Sequence, residues 1–168
     1  MTLQDKPVLR LNQEEAAFLR IAALSILVAS HGPDNVPFVT RALGHRFSPT
    51  LDQITLFLPV SDAKELLSQV ASNGMIAATF ALPSTHQALQ LKGSNARVEK
   101  LSKADLEVVN ACRQAFIDHL VKLGYPRAIF EAMLDCQPDD LAGIRFTPAA
   151  GFSQTPGPGA GRPIGIIR

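Results

Sequence analysis

Two cations in this sequence stand where a cation needs explaining. Arg41 lies in the run 36–43, whose alternation places it on one face with Val39 and Leu43. A charge among apolar neighbours requires a partner or a route to water. Lys64 falls in what reads as the first turn of a helix opened by Asp62 with Glu65, where the helix dipole disfavours a cation by ~0.3–1 kcal/mol. A bound phosphate reverses that sign. Exposed helix-end amides, with Lys64, Arg41 and Arg46 near them, would offer a dianionic phosphate both oriented donors and local charge. The same residues also admit a plainer account, in which Asp62 and Glu65 offset Lys64 and Arg41 forms an ordinary salt bridge. Gln87 has two readings as well. It shares a face with Leu89 and Leu91, so its amide either reads the edge of a heterocycle or bonds to backbone at a sheet edge.

Other chemistry is excluded by spacing. The glycine-rich run 157–161 has no strand leading in, and Pro163 blocks the helix that a dinucleotide or phosphate loop needs. His31, His45, His86 and His119 include no pair four apart, and no metal site is expected. Ser25, Ser30 and Ser61 lack the Gly-x-Ser-x-Gly elbow of acyl transfer. Cys112 and Cys136 are too few for a disulfide framework, and they are expected in the core of a protein of the reducing cytoplasm.

The elements that must position these residues follow from periodicity. Asn12 with Glu15 opens a short helix over 14–20; an apolar strand ends at the turn signal 31–35; and 36–43 completes an antiparallel hairpin that Gly44, Ser48 and Pro49 break. Residues 53–58 form a third strand, the helix from Asp62 ends at Asn73-Gly74, and strands resume over 75–82 and 87–92, running on toward Val98. Ser102 with Asp105 opens the longest helix, amphipathic through Val109, Phe116 and Leu120, followed by a shorter helix over 125–136 and a return to the sheet over 141–147. Residues 1–11 read as an arm, and the Pro/Gly-rich segment 148–168 as an extended tail without regular structure. Strands first, one helix between them and helices after them make an α+β fold on an antiparallel sheet or small barrel. The 168 residues, 46% hydrophobic and 18% charged, suit one domain over 1–147 plus that tail. A net charge of +1 gives no footprint for nucleic acid, and no apolar run spans a bilayer.

The order of segments over 23–101 resembles the FMN-binding split barrel of the pyridoxamine 5'-phosphate oxidase-like family. The hairpin leads to the basic strand Val39-Thr40-Arg41. The stretch Leu56-Phe57-Leu58-Pro59-Val60-Ser61-Asp62-Ala63-Lys64 is similar to the family's aromatic-Thr-x-x-x-Ser-x-Lys segment, and His86-Gln87-Ala88-Leu89-Gln90-Leu91-Lys92-Gly93 to its Arg-Gln-Val-x-Val-x-Gly strand. The departures are His86 for arginine, Pro59 and Val60 where hydroxyls are common, no tryptophan and a single tyrosine, Tyr125. The resemblance implies a six-stranded antiparallel split β-barrel with flanking helices, and a homodimer with an FMN site at the subunit interface. It implies that Arg41 and Lys64 hold the FMN phosphate, that Ser61 or Asp62 sits beside it at the helix entry, and that Gln87 touches the isoalloxazine. Of the C-terminal basic residues that reach substrate phosphate in vitamin-metabolising members, this sequence offers Arg162 and Arg168 in a tail of another character, so pyridoxamine phosphate oxidation is not expected. The function implied is a flavin-dependent oxidoreductase of unassigned small-molecule substrate; the alternative is a non-catalytic carrier or sensor of flavin or haem on the same fold.

Overall fold

The computed structural model describes residues 9–167, and its first helix begins where the sequence places it. After strand β1 (Leu9–Arg10), Asn12 accepts the Glu15 N–H while the Glu15 carboxylate accepts the Asn12 N–H, both at 2.8 Å, which opens helix α1 (Gln13–Leu19). Strands β2 (Ser25–His31) and β3 (Pro37–Ala42) form the expected hairpin, with Leu27 opposite Arg41 and Ala29 opposite Val39. The chain does not stop at Gly44. It bends at Leu43, whose N–H donates to the Phe57 carbonyl at 2.8 Å, and continues as β4 (Gly44–Phe47) in a second sheet. Glycine there permits a close approach: a Cβ on Gly44 would sit 3.1 Å from the Cys112 Cβ and 3.4 Å from the Val109 Cα, on the helix packed above.

Strand β5 (Ile54–Pro59) is buried along its whole length, since Leu56 and Leu58 face one core and Phe57 another. Helix α2 (Val60–Asn73) then ends on Gly74 at φ +68°, as the Asn-Gly signal requires. Strands β6 (Ile76–Ala81) and β7 (Ala88–Gly93) follow. The run past Gly93 changes sheets, because β8 (Arg97–Glu99) pairs with a later strand. Helix α3 (Lys103–Lys122) opens on a Ser102/Asp105 capping box. It is followed by α4 (Arg127–Met133), a 3-10 turn over Pro138–Asp140, and strand β9 (Leu141–Phe146).

The terminal segments depart from expectation. Of the expected N-terminal arm, residues 1–8 lie outside the described residues, as does Arg168, but Leu9 is buried. The Pro/Gly segment is not devoid of regular structure. Strand β10 (Ala150–Ser153) pairs antiparallel with β7, and β11 (Ile166–Ile167) pairs with β1. Its small residues permit close packing: a Cβ on Gly151 would meet Ile164 and Leu9 side-chain atoms at 2.7 and 2.9 Å, and one on Gly165 would meet the Arg10 carbonyl at 2.6 Å.

The result is an α+β fold with four helices and two antiparallel sheets, of order β10-β7-β6-β2-β3 and β4-β5-β9-β8, beside the β1-β11 ribbon. The inner faces of both sheets enclose the main core, through Ile26, Val28, Phe80 and Leu91 from one and Leu56, Leu58, Ile144 and Phe146 from the other, with α2 contributing Ala63, Leu66 and Val70. A second core, of Leu43, Phe57, Val109, Phe116, Ile117, Leu120 and Leu134, lies between the four-stranded sheet and α3. Among the described residues the outer face of the five-stranded sheet is left open, and Leu27 and Val39 on it are 44% and 54% exposed.

Candidate functional site

The cross-strand register places Arg41 at one end of a row that runs over that open face. Arg41 is opposite Leu27, Leu27 opposite Thr79, Thr79 opposite Gln90, and Gln90 opposite Phe152. Three strand steps separate Arg41 from Gln90, about 14 Å at the usual inter-strand spacing. The middle of the row is a polar pair, the Gln90 amide donating to the Thr79 hydroxyl at 3.1 Å. The next row on the same face, Val39, Ala29, Ala77, Lys92 and Ala150, is small or apolar except for Lys92, whose ammonium lies 5.1 Å from the centre of the Phe152 ring. Beyond it a cavity of about 250 Å³ opens between Ala29, His31, Pro37, Met75, Ala77 and Lys92.

Arg41 is half-buried. Its guanidinium donates to the Ser25 hydroxyl at 2.8 Å and lies 5.8 Å from the centre of the Phe116 ring, and burial lowers its pKa. Among the described residues no carboxylate comes within 4.0 Å of it, nor of Lys64. The salt bridge offered as the plain account of Arg41 is therefore absent from those residues. Arg46 does form one: its side chain meets the Asp105 carboxylate at 3.0 Å, at the start of α3.

The entry to α2 is built differently from its sequence signal. Asp62 and Glu65 do not form its cap. The helix starts at Val60 after Pro59, which has no side chain able to cap it. The cap comes from 79 residues away: the Asp140 carboxylate accepts both the Ser61 N–H, at 3.0 Å, and the Ser61 hydroxyl, at 2.5 Å. Asp62 is exposed in the first turn. Lys64 is exposed one turn further on than expected, past the reach of the dipole, although helical side chains lean toward the N-terminus. The Leu43–Phe57 hydrogen bond ties the chain just after β3 to the strand that leads into this helix, two residues from Arg41 and four from Ser61.

Gln87 is exposed and precedes β7. Its N–H donates to the Thr85 hydroxyl at 3.3 Å, after His86 in the left-handed region at φ +58°. The amide that shares the open face with Arg41 is Gln90, which the sequence reading passed over; its alternation with the buried Leu89 and Leu91 was the available signal. A phosphate-bearing planar ligand meets a mixed fit here. Arg41 is an unneutralised donor suited to a phosphate, whereas the Ser61 donors are held by Asp140. Among the described residues no group of three His, Cys, Asp or Glu side chains could hold a metal ion, and no helix is long and apolar enough to cross a membrane.

Solved structures of the same fold include a protein related to general stress protein 26, of the pyridoxinephosphate oxidase family, from Clostridium acetobutylicum. It superposes with a TM-score of 0.54 at 15% identity, over 91% of this chain and 92% of that one. HupZ of Group A Streptococcus gives 0.54 at 12% identity over 90% and 98%, and a conserved hypothetical protein of Mycobacterium tuberculosis gives 0.52 at 13% over 91% and 89%. At these identities the likeness is one of fold. No family model matches the chain. By sequence, 104 residues, 58% of the chain, are 32% identical to part of a glycine–tRNA ligase beta subunit of Dechloromonas aromatica, but they span 14% of that subunit.

Proposed function

We propose that this chain, whose fold is that of the pyridoxamine 5'-phosphate oxidase-like proteins, binds FMN across the open face of its five-stranded sheet and serves as a flavin-dependent oxidoreductase. The strands around the main core, β2, β3, β5, β6, β7 and β9, are the six that a split barrel of this kind would use. The observation that carries the reading is Arg41: a half-buried guanidinium with no carboxylate partner among the described residues, at the end of a row of Leu27, Thr79 and Gln90 long enough for a planar ring system with an anionic tail.

When bound, a flavin supplies the hydride and electron chemistry, and the protein's part is to hold and orient it. In this reading Arg41 and Lys64 hold the phosphate. Ser61 and Asp62 stand at the helix entry beside it. Of these, Ser61 is free to donate only when Asp140 turns aside. Gln87 at the head of β7 and the Gln90–Thr79 pair offer hydrogen bonds to the ring edge. A second copy of the chain closes the open face, so that the ligand lies at a homodimer interface.

The test is reconstitution of the purified chain with FMN, followed by flavin absorption and fluorescence quenching, and then by bleaching with NADH or NADPH. Bound flavin is expected, and Arg41→Ala should weaken it by about 1.5–3 kcal/mol, the value of a charge-assisted bond to phosphate. Bound flavin that no reductant bleaches would leave a carrier in place of an enzyme. A chain that takes up no flavin, or an Arg41→Ala variant of unchanged affinity, overturns the site.

A further inference from the structure

A second row of cations lies on the other sheet, far from any role in the flavin reading. Arg46 on β4 is opposite Thr55 on β5, Thr55 is opposite Arg145 on β9, and Arg145 is opposite Arg97 on β8, so that all four side chains share the outer face of the four-stranded sheet. Like charges directly opposite on adjacent antiparallel strands repel. Arg46 is answered by Asp105, and the Nε of Arg145 lies 3.2 Å from the Glu99 carboxylate. Arg97 has no carboxylate within 4.0 Å among the described residues.

Arg97 and Arg145 line a cavity of about 350 Å³ together with Gln53, Asn95, Phe146 and Thr147. That volume lies at the small end of the roughly 300–1,000 Å³ typical of small-molecule sites. Among the described residues no carboxylate lines it. The amide orientation of Asn95 is set by a backbone bond: its Oδ1 accepts the Thr147 N–H at 3.0 Å, so its NH₂ is left as a donor. Two guanidinium groups and an oriented amide donor, with a hydroxyl and a second amide beside them and no acidic group in the wall, form a set matched to a tetrahedral oxyanion. The chain's net charge of +1 does not suit a polynucleotide.

We propose that the Arg97–Arg145 cavity is an anion site, separate from Arg41, that takes the phosphoryl group of a small phosphorylated metabolite. The anion adds to Glu99 in neutralising the cross-strand arginine pair, of which Arg97 has no carboxylate of its own among the described residues. This site stands whether or not the chain binds flavin.

The experiment is a titration of the isotope-labelled chain with inorganic phosphate at constant ionic strength, followed by amide and side-chain NH₂ shifts, with chloride as the control. The expected result is a saturable shift at Asn95, Arg97, Arg145 and Thr147, weakened roughly tenfold or more in Arg97→Gln, as loss of a charged hydrogen bond implies. Asn95→Asp keeps the acceptor for the Thr147 N–H but places a negative oxygen in the cavity, and it should abolish the shift while the chain stays folded. Shifts confined to the surroundings of Arg41 and α2, shifts equal to those produced by chloride, or unchanged affinity in both variants would overturn the proposal.

Discussion

At the scale of single residues, the contact of most consequence is between Ser61 and Asp140. A helix of the length of α2 leaves four N–H groups unbonded at its start, and Pro59 supplies no side chain to meet them. The Asp140 carboxylate meets one of them, the Ser61 N–H, and the Ser61 hydroxyl as well, at the helix entry where the proposed phosphate would sit. Asp140→Asn is expected to cost about 1 kcal/mol of stability, as the loss of a charged cap does, while tightening FMN binding; opposite signs in a denaturant titration and a flavin titration are the check. His45 carries a second prediction. It is 6% exposed, its Nε2–H donates to the Leu19 carbonyl at 2.9 Å, its Nδ1 has no partner among the described residues, and it packs edge-on against Phe47 and Phe80. Burial pushes its pKa below 6.5, with the Leu19 bond acting in the other direction. The unfolded chain therefore binds the proton more readily than the folded one, and this residue's contribution to stability is whole above about pH 6.5 and falls as the pH drops below it. Unfolding midpoints between about pH 5 and 8 should slope downward toward acid in the wild type and less so in His45→Phe.

At the scale of elements, α3 is fixed at both of its contacts with the sheet. Its first turn is held by Ser102 and Asp105, and the Asp105 carboxylate also receives Arg46 from β4. Burial raises the pKa of Asp105, but the Ser102 bonds and Arg46 outweigh it, so the carboxyl titrates below its usual range. Further along, Gly44 lets the helix backbone approach β4 to within van der Waals contact of Cys112 and Val109. Gly44→Val would force these apart and is expected to destabilise by about 1–3 kcal/mol, the usual cost of overpacking, read as a lower denaturant midpoint. Gly44 also marks how elements were legible. The capping boxes of α1 and α3 and the left-handed Gly74 were plain in sequence because each is a local pattern of three or four residues. Strand β4 was hidden because a glycine that breaks a strand and a glycine that admits a helix are the same letter.

At the scale of the whole molecule, the open face of the five-stranded sheet is the unfinished surface. Leu27 and Val39 are exposed beside small side chains at Ala29 and Ala77, and a second copy laid there would bury them and complete the proposed ligand site. Val39→Asp is expected to shift the protein from dimer to monomer in light scattering after size exclusion, and to release flavin with it, while leaving the fold intact, because Val39 lies outside both cores. A monomeric wild type would remove the interface from the flavin proposal.

What the sequence by itself determined is everything carried by short-range pattern: the helix starts at Asn12 and Ser102, the stop at Gly74, the hairpin at 31–35, and the cation on β3. Those features depend on neighbours within a few residues, and the side-chain periods that reveal them are local. The tertiary structure alone decided which distant groups meet. It put Asp140 on the entry of α2, Arg97 opposite Arg145, Gln90 on the face of Arg41, and the Pro/Gly segment along the edge of β7. Strand register and long-range capping are settled by how two sheets close around one core, and no local window of the chain contains both partners.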